Sequence, residues 1–484
     1  MDKDGNPVES STVQRTREFI DISLLKDNYE LGNPLGYMGY DKLRARVYDI
    51  YFYDSEKVLL EGVRGRLAFR KYSKPQNAKY AKIVLHWDIA IETGLADFSD
   101  AIGFLTGFKP PVRNYIRNCI IEDNYSTGLA ACGGINWLIE GNTFRRNGGR
   151  MPGCDIDWED GWEYSQDDVV RNNSFESFNG LIVCSGLNHV FKNNVMKGNT
   201  TMYSRSQHMK FEKNRFGEEG KRVVSIFGSQ TDIYMCDNTF LGGTARFPGG
   251  HGDRGKYMGI WKNNIFNDTS LSTAEAKKGL ISNNTFTFTA DGKDFDVSGG
   301  GVECKFKGAG GKELVLKGGG EYDRCEFSDS SIRTEARITD TTVVLKKCKL
   351  KDVTIQQPHC NIVVTDCDWE NSSGKLLLEL ANHDGIPEVI RIENNRIVTA
   401  SNESFISAWN IGAWNGKKLY FTQNKITVPE NYSGFYLDAR YRAKADAAPS
   451  DIYIQGNITN KPIAPAPDNH MSGCGLLFHL DKSK

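Results

Sequence analysis

No run of eighteen apolar residues occurs in the 484-residue chain, which predicts no membrane-spanning helix. The first residues, MDKDGNPVESS, lack the apolar core of a secretory signal, so none is expected. Charge of one sign is missing too. The 60 basic and 61 acidic residues leave a formal charge of −1, so no overall field attracts nucleic acid or a membrane surface. Proline is sparse, at 14 residues against 49 glycines, a balance that fits many tight turns rather than a disordered chain. The 11 cysteines include no Cys-x-x-Cys pair, which argues against a zinc cluster and a tight disulfide scaffold.

What the chain has in quantity is one short repeated phrase. Asn-x-aromatic/aliphatic, often with a second Asn before it, occurs at Asn142, Asn173, Asn194, Asn214, Asn238, Asn264 and Asn284. Cysteine then takes the slot at Cys304, Cys325, Cys348 and Cys367, and asparagine returns at Asn395, Asn424 and Asn457. A weaker copy, RNCI, stands at Asn118. The steps run from 19 to 33 residues, room for short strands and turns but not for a helical crossover. Each copy follows a β-branched, alternating run. A right-handed parallel β-helix satisfies all of this, because equivalent residues of stacked coils lie about 4.8 Å apart and an inward Asn can bond its copies above and below. Phe144, Phe175, Phe216, Phe240, Phe266 and Phe286 then form an internal column. A leucine-rich or propeller repeat is the competing architecture, but its leucine spacing or blade signature is missing. The cysteines in the slot read as a reduced core ladder, with a disulfide between stacked neighbours as the alternative.

Three organisational parts follow: a polar segment over 1–40, a small antiparallel β-sandwich-like module over 41–95, and the β-helix with its C-terminal cap over 96–484. In the module, Tyr48, Ile50 and Phe52 alternate with Tyr51 and Tyr53, and Ala81, Ile83, Leu85 and Trp87 alternate with Lys82, Val84 and His86.

The densest acidic run, GCDIDWEDGWEYSQDD, sits in the 31-residue step between Asn142 and Asn173. Alternation puts Cys154, Ile156 and Trp158 on one strand face and Asp155, Asp157 and Glu159 on the other, expected to project from the wall, with Asp160 following at a turn. Like charges on one face repel, which raises a pKa and suits a general acid. Two carboxyl groups flanking a sugar bond are what glycoside hydrolysis needs, so Asp155, Asp157, Glu159 and Asp160 are the catalytic candidates. The same Asp155, Asp157 and Glu159 could hold Ca2+, the one cofactor the sequence suggests, and in a lyase that ion would neutralise a uronate. A solvated acidic face remains the bland alternative. Substrate-binding candidates are Trp162 beside the acids, Tyr203, Arg205 and His208 two coils on, and His251 and Arg254 in a glycine-rich loop. His189 reads as a surface or packing residue. Near the C-terminus Trp409, Trp414, Tyr432, Tyr436, Tyr441 and Arg442 read as an end cap or oligomer contact, with sugar stacking as the alternative.

Two stretches carry a resemblance. The phrases YDIYFYDSEKVL and KPQNAKYAKIVL resemble a module of tail-associated proteins from phages and prophages of Gram-positive bacteria, where it adjoins a pectate-lyase-like β-helix. The stretch CDIDWEDGWEYSQDDVVRNNSF is similar to the DIEDGW…RNN segment of those proteins, matching at Asp155, Asp157, Glu159, Asp160, Gly161 and Trp162. The resemblance implies a homotrimer in a virion tail that recognises or cleaves a bacterial surface polysaccharide. A depolymerase, hydrolase or lyase, is the leading expectation. A non-catalytic receptor-binding protein and a structural tail component are the alternatives.

Overall fold

A computed structural model describes residues 6, 8, 10, 13–25, 28–29, 31–32, 47–67, 72–86, 103–104, 113–149, 153–158, 165–228, 233–247, 259–273, 281–289, 295–308, 313–335, 341–372, 375–380, 387–400, 404–409, 417–430, 435–440, 450–465 and 476–480. Every regular element among them is a β-strand. The chain forms two compact units, one of residues 1–114, 131–136 and 158–166, the other of the remainder.

The first unit holds a five-stranded antiparallel sheet of Val13–Arg15, Ile20–Asp21, Val47–Tyr53, Leu59–Leu67 and Tyr80–His86. Tyr48, Ile50 and Phe52 pack with Ala81, Ile83 and Leu85 on one face, joined by Ile22, Leu25 and Tyr29. Tyr51, Tyr53 and Val84 pack on the other face with Phe19 and Tyr80. Both faces of the sheet thus carry buried residues. Residues 13–21, expected within a polar segment, contribute two of the strands by pairing with Tyr80–His86. Strands this short and polar carry no periodicity of their own, so only the partner strand defines them.

The second unit is a parallel β-solenoid. One sheet takes a single strand from each coil and runs through sixteen of them, from Tyr115–Arg117 to Leu476–Leu480. A second parallel sheet takes the strands that follow each ladder residue. In one coil, Met209–Glu212 belongs to the first sheet, and Arg215–Gly217 and Val224–Phe227 belong to the second.

The repeated slot is a hydrogen-bonded column. The Asn238 Oδ1 accepts the backbone N–H of Asn214 at 2.9 Å and its Nδ2 at 3.0 Å. The Asn238 Nδ2 donates to the Phe211 carbonyl at 2.9 Å and to Asn264 Oδ1 at 3.1 Å. Two donors and two acceptor sites are all the side-chain amide has, and all are used in a dry interior. The same set recurs at Asn173, Asn194, Asn214, Asn264 and Asn424. Asn142 and Asn395, each preceded in the column by a cysteine, accept a backbone N–H alone.

The residue before each ladder position lies in the left-handed region, with φ between 53° and 67° from Asn118 to Gly456. Asn and Gly tolerate that conformation best, which accounts for the frequent second Asn and for Gly141. In RNCI the slot therefore belongs to Cys119, whose N–H donates to Asn142 Oδ1 at 2.9 Å, and Asn118 is the turn residue.

Where cysteine fills the slot, one thiol does part of the same work. Cys348 Sγ donates to the Tyr322 carbonyl at 3.2 Å, and Cys367 Sγ accepts the Cys348 N–H at 3.3 Å. Cys304, Cys325, Cys348 and Cys367 are buried and free of disulfides, as the reduced ladder requires. The neighbouring apolar column is equally regular. From Phe216 through Phe240, Phe266, Phe286 and Phe306 to Phe327, rings stack 4.6–4.8 Å apart with interplanar angles of 6–8°. Each buried ring adds about 2–3 kcal/mol from lost water contact.

Asn238→Ala removes the acceptor of the Asn214 N–H, one of the two Asn214 Nδ2 bonds and one donor to the Phe211 carbonyl. It should lower unfolding free energy by about 2–4 kcal/mol in urea melts, while Asn238→Cys should lose less because the thiol keeps one donor and one acceptor. Equal losses for the two variants would refute this account of the ladder.

Candidate functional site

The acidic strand Cys154–Trp158 is buried along its whole length. Asp155 is 0% exposed and Asp157 5%, so these two carboxylates do not project from the wall as expected. Alternation does separate the two faces of the strand, but residues from other turns cover the acidic one. The Asn147 Nδ2 donates to Asp155 Oδ1 at 2.9 Å, the Ser177 hydroxyl donates to the same oxygen, and the Ser177 N–H donates to Oδ2 at 3.0 Å.

Asp155 thereby closes a second, short ladder. Asn147 Oδ1 accepts both the N–H and the side-chain amide of Asn124, and the Asn147 N–H donates to Ser177 Oγ at 2.8 Å. Burial raises the Asp155 pKa, and the Ser177 and Asn147 donors oppose that rise. Asp157 lies beside the Cys184 thiol, with Sγ 3.8 Å from Oδ1. Burial, reinforced by the Asp157 charge, pushes the Cys154 thiol up to about 12, so it is no nucleophile at neutral pH.

The remaining candidates are scattered. Glu159, Asp160, Trp162, His251 and Arg254 lie outside the described residues. Tyr203 is 52% exposed, and His208 is exposed at a turn with φ 50°. Arg205 pairs through its backbone with Ser185, and its side chain is outside the description. His189 is fully buried, its Nδ1 accepting the Asp168 N–H at 3.3 Å, and burial lowers its pKa against the pull of Asp168. It is a packing residue. Among the described residues no group of three or more His, Cys, Asp or Glu is placed to hold a metal ion, and Glu159 of the expected calcium set is not among them. Of the C-terminal aromatics, Trp414, Tyr432, Tyr441 and Arg442 lie outside the described residues, as do the side chains of Trp409 and Tyr436.

A cleft of about 530 Å³ opens on the far side of Ser177, where the turns after three successive ladder positions come together. Its walls are Glu176, Ser177 and Phe178 from the first turn, Lys197, Gly198 and Asn199 from the second, and Glu218, Lys221, Arg222 and Val223 from the third. Phe178 is 81% exposed, an unusual position for a large ring. Gly198 has no room for a side chain, because a Cβ there would sit 1.9 Å from the Ser177 carbonyl oxygen.

Both cleft carboxylates are held by lysines. Glu176 accepts Lys197 Nζ at 3.0 Å and Ser174 Oγ at 2.9 Å, and Glu218 accepts Lys221 Nζ at 2.6 Å. The lysine hydrogen bonds hold both carboxyls below the usual range, so each stays ionised at neutral pH. Asn199 fixes the floor, with Oδ1 accepting the Val224 N–H at 2.9 Å. None of these residues was selected from the sequence. The available signal was the four-residue EEGK stretch after Gly217, which lengthens an otherwise economical coil.

No protein-family profile, curated protein or solved structure matches this chain.

The raised Asp155 pKa sets the sign of one pH effect. The group stabilises the fold fully below its unfolded value of about 4, and that contribution is lost as pH rises through the higher folded value. Asp155→Asn places an amide NH2 against the Ser177 N–H and should destabilise by about 1–3 kcal/mol. Its deficit relative to the parent should be largest near pH 4 and shrink as pH rises, measured by urea melts across that range. A deficit that grows toward neutral pH would refute the assignment.

Proposed function

We propose that this β-solenoid is a glycan-binding protein, engaging a bacterial surface polysaccharide in the cleft between Glu176 and Val223 without cleaving it. The exposed Phe178 ring at the rim of a polar, three-coil cleft carries this reading. A sugar ring offers an apolar C–H face for stacking on an aromatic ring, and hydroxyls for the amides and charges around it. Parallel β-solenoids suit extended polymers, since successive coils repeat the same surface at fixed spacing.

Among the described residues, which leave out Glu159 and Asp160, the chemistry favours binding over hydrolysis. A glycosidase needs one carboxyl group protonated near neutral pH as general acid. Glu176 and Glu218, which reach the cleft, are shifted the opposite way by their lysines. Asp155, which is shifted the right way, is buried and committed to three donors. The likeness of the stretch around Asp155 to phage-tail β-helix proteins supports a role on a virion tail, as a homotrimer, at the cell surface.

Binding of wall or capsule polysaccharide fragments, followed by calorimetry, should weaken about tenfold in Phe178→Ala, the loss of about 1.4 kcal/mol of stacking. Far-UV circular dichroism should not change, because the ring is exposed. Unaltered affinity in the variant would sink the binding site. Steady release of reducing ends or unsaturated products by the parent protein would restore the depolymerase instead.

A further inference from the structure

The charge arrangement of the cleft narrows its ligand. Lys197 is neutralised by Glu176 and Lys221 by Glu218, each through a direct contact. Arg222 stands next to Lys221, is exposed, and has no hydrogen bond or ion pair with any described residue. Three cations and two carboxylates therefore line the cleft, and the unmatched charge is a guanidinium. Guanidinium is the group best shaped for bidentate capture of a carboxylate or phosphate. A neutral polysaccharide would leave it facing water with no partner.

Resting on the glycan-binding reading above, we infer that the cleft takes an anionic polysaccharide, its acidic group held by Arg222 while a sugar face stacks on Phe178. Uronate and phosphodiester polymers share this chemistry, since both present paired oxygens to the arginine fork. Lys197 and Lys221 contribute less because their charges are already spent on the neighbouring glutamates. The two ion pairs also explain why the cleft can carry acids without repelling an anion: each carboxylate is screened by its own ammonium.

Direct competition separates the possibilities. Full-length protein is titrated with three probes of matched length, namely dextran, a glucuronate-containing polymer and a glycerol-phosphate polymer, at about 50 and about 300 mM salt. At least one anionic probe should bind about tenfold more tightly than dextran, with an advantage that shrinks at the higher salt. Whichever anion wins identifies the acidic group. Arg222→Gln should abolish the advantage, Arg222→Lys should retain part of it, and Phe178→Ala should weaken all probes alike. If the advantage survives in Arg222→Gln, the assignment to Arg222 is wrong. If dextran and the anions bind equally and Phe178→Ala weakens them all, the anionic class is overturned while the glycan site stands. If no probe binds, the glycan-binding reading itself falls.

Discussion

One side-chain amide, repeated at the spacing of a β-sheet, is the bond on which this molecule depends. A buried Asn has to place two donors and two acceptor sites, and a lone one in an apolar core would leave some of them empty. Stacking removes the difficulty, because each copy supplies what its neighbour lacks. Asn238 sits between Asn214 and Asn264 in this way. The geometry also dictates its surroundings. A residue with positive φ must come immediately before, parallel strands must lie on both sides, and the phenylalanine two places later must fall onto the phenylalanine of the next coil.

Those requirements are why so much of the solenoid was legible from sequence. A slot that accepts only Asn or Cys, a turn residue that favours Asn, Gly or Asp, and a ring two residues on leave a phrase that can be found by eye. The cysteine exchange was legible for the same reason, since a thiol combines one donor with an acceptor and little bulk. The acidic strand was misread because alternation reports which side chains share a face and nothing about what lies over that face. Asn147 and Ser177, which cover Asp155, belong to other turns, and their own residue types draw no attention. Apart from the EEGK stretch, the cleft left no mark in the sequence for a related reason. Glu176, Lys197 and Arg222 meet only because the parallel register sets their turns side by side.

Ionisable groups are handled in two contrasting ways. In the interior, Asp155 is surrounded by neutral donors, an arrangement that fixes the positions of Asn147 and Ser177 at the cost of an unfavourable charge. On the surface, Glu176 and Glu218 are matched with lysines, and that matching singles out Arg222. Ser177 belongs to both settings, with its hydroxyl and N–H turned to Asp155 while the residue forms part of the cleft wall. The interior carboxylate thus holds one wall of the cleft in place, and the surface ion pairs set the charge that the cleft presents.

The ladder's uniformity bears on how such a chain can change over generations. Amides that lie between two other amides, such as Asn194 and Asn214, make the same bonds, so a whole coil, such as 195–214, is an interchangeable part. Losing or duplicating one shortens or lengthens the rod by about 4.8 Å and leaves the joints on either side chemically identical. Adding or removing a single residue within a coil has no such freedom, because it displaces the amide from its column. Length changes are therefore best accommodated in the turns, where extra residues such as those after Gly217 can reshape a surface while the ladder beneath keeps its register.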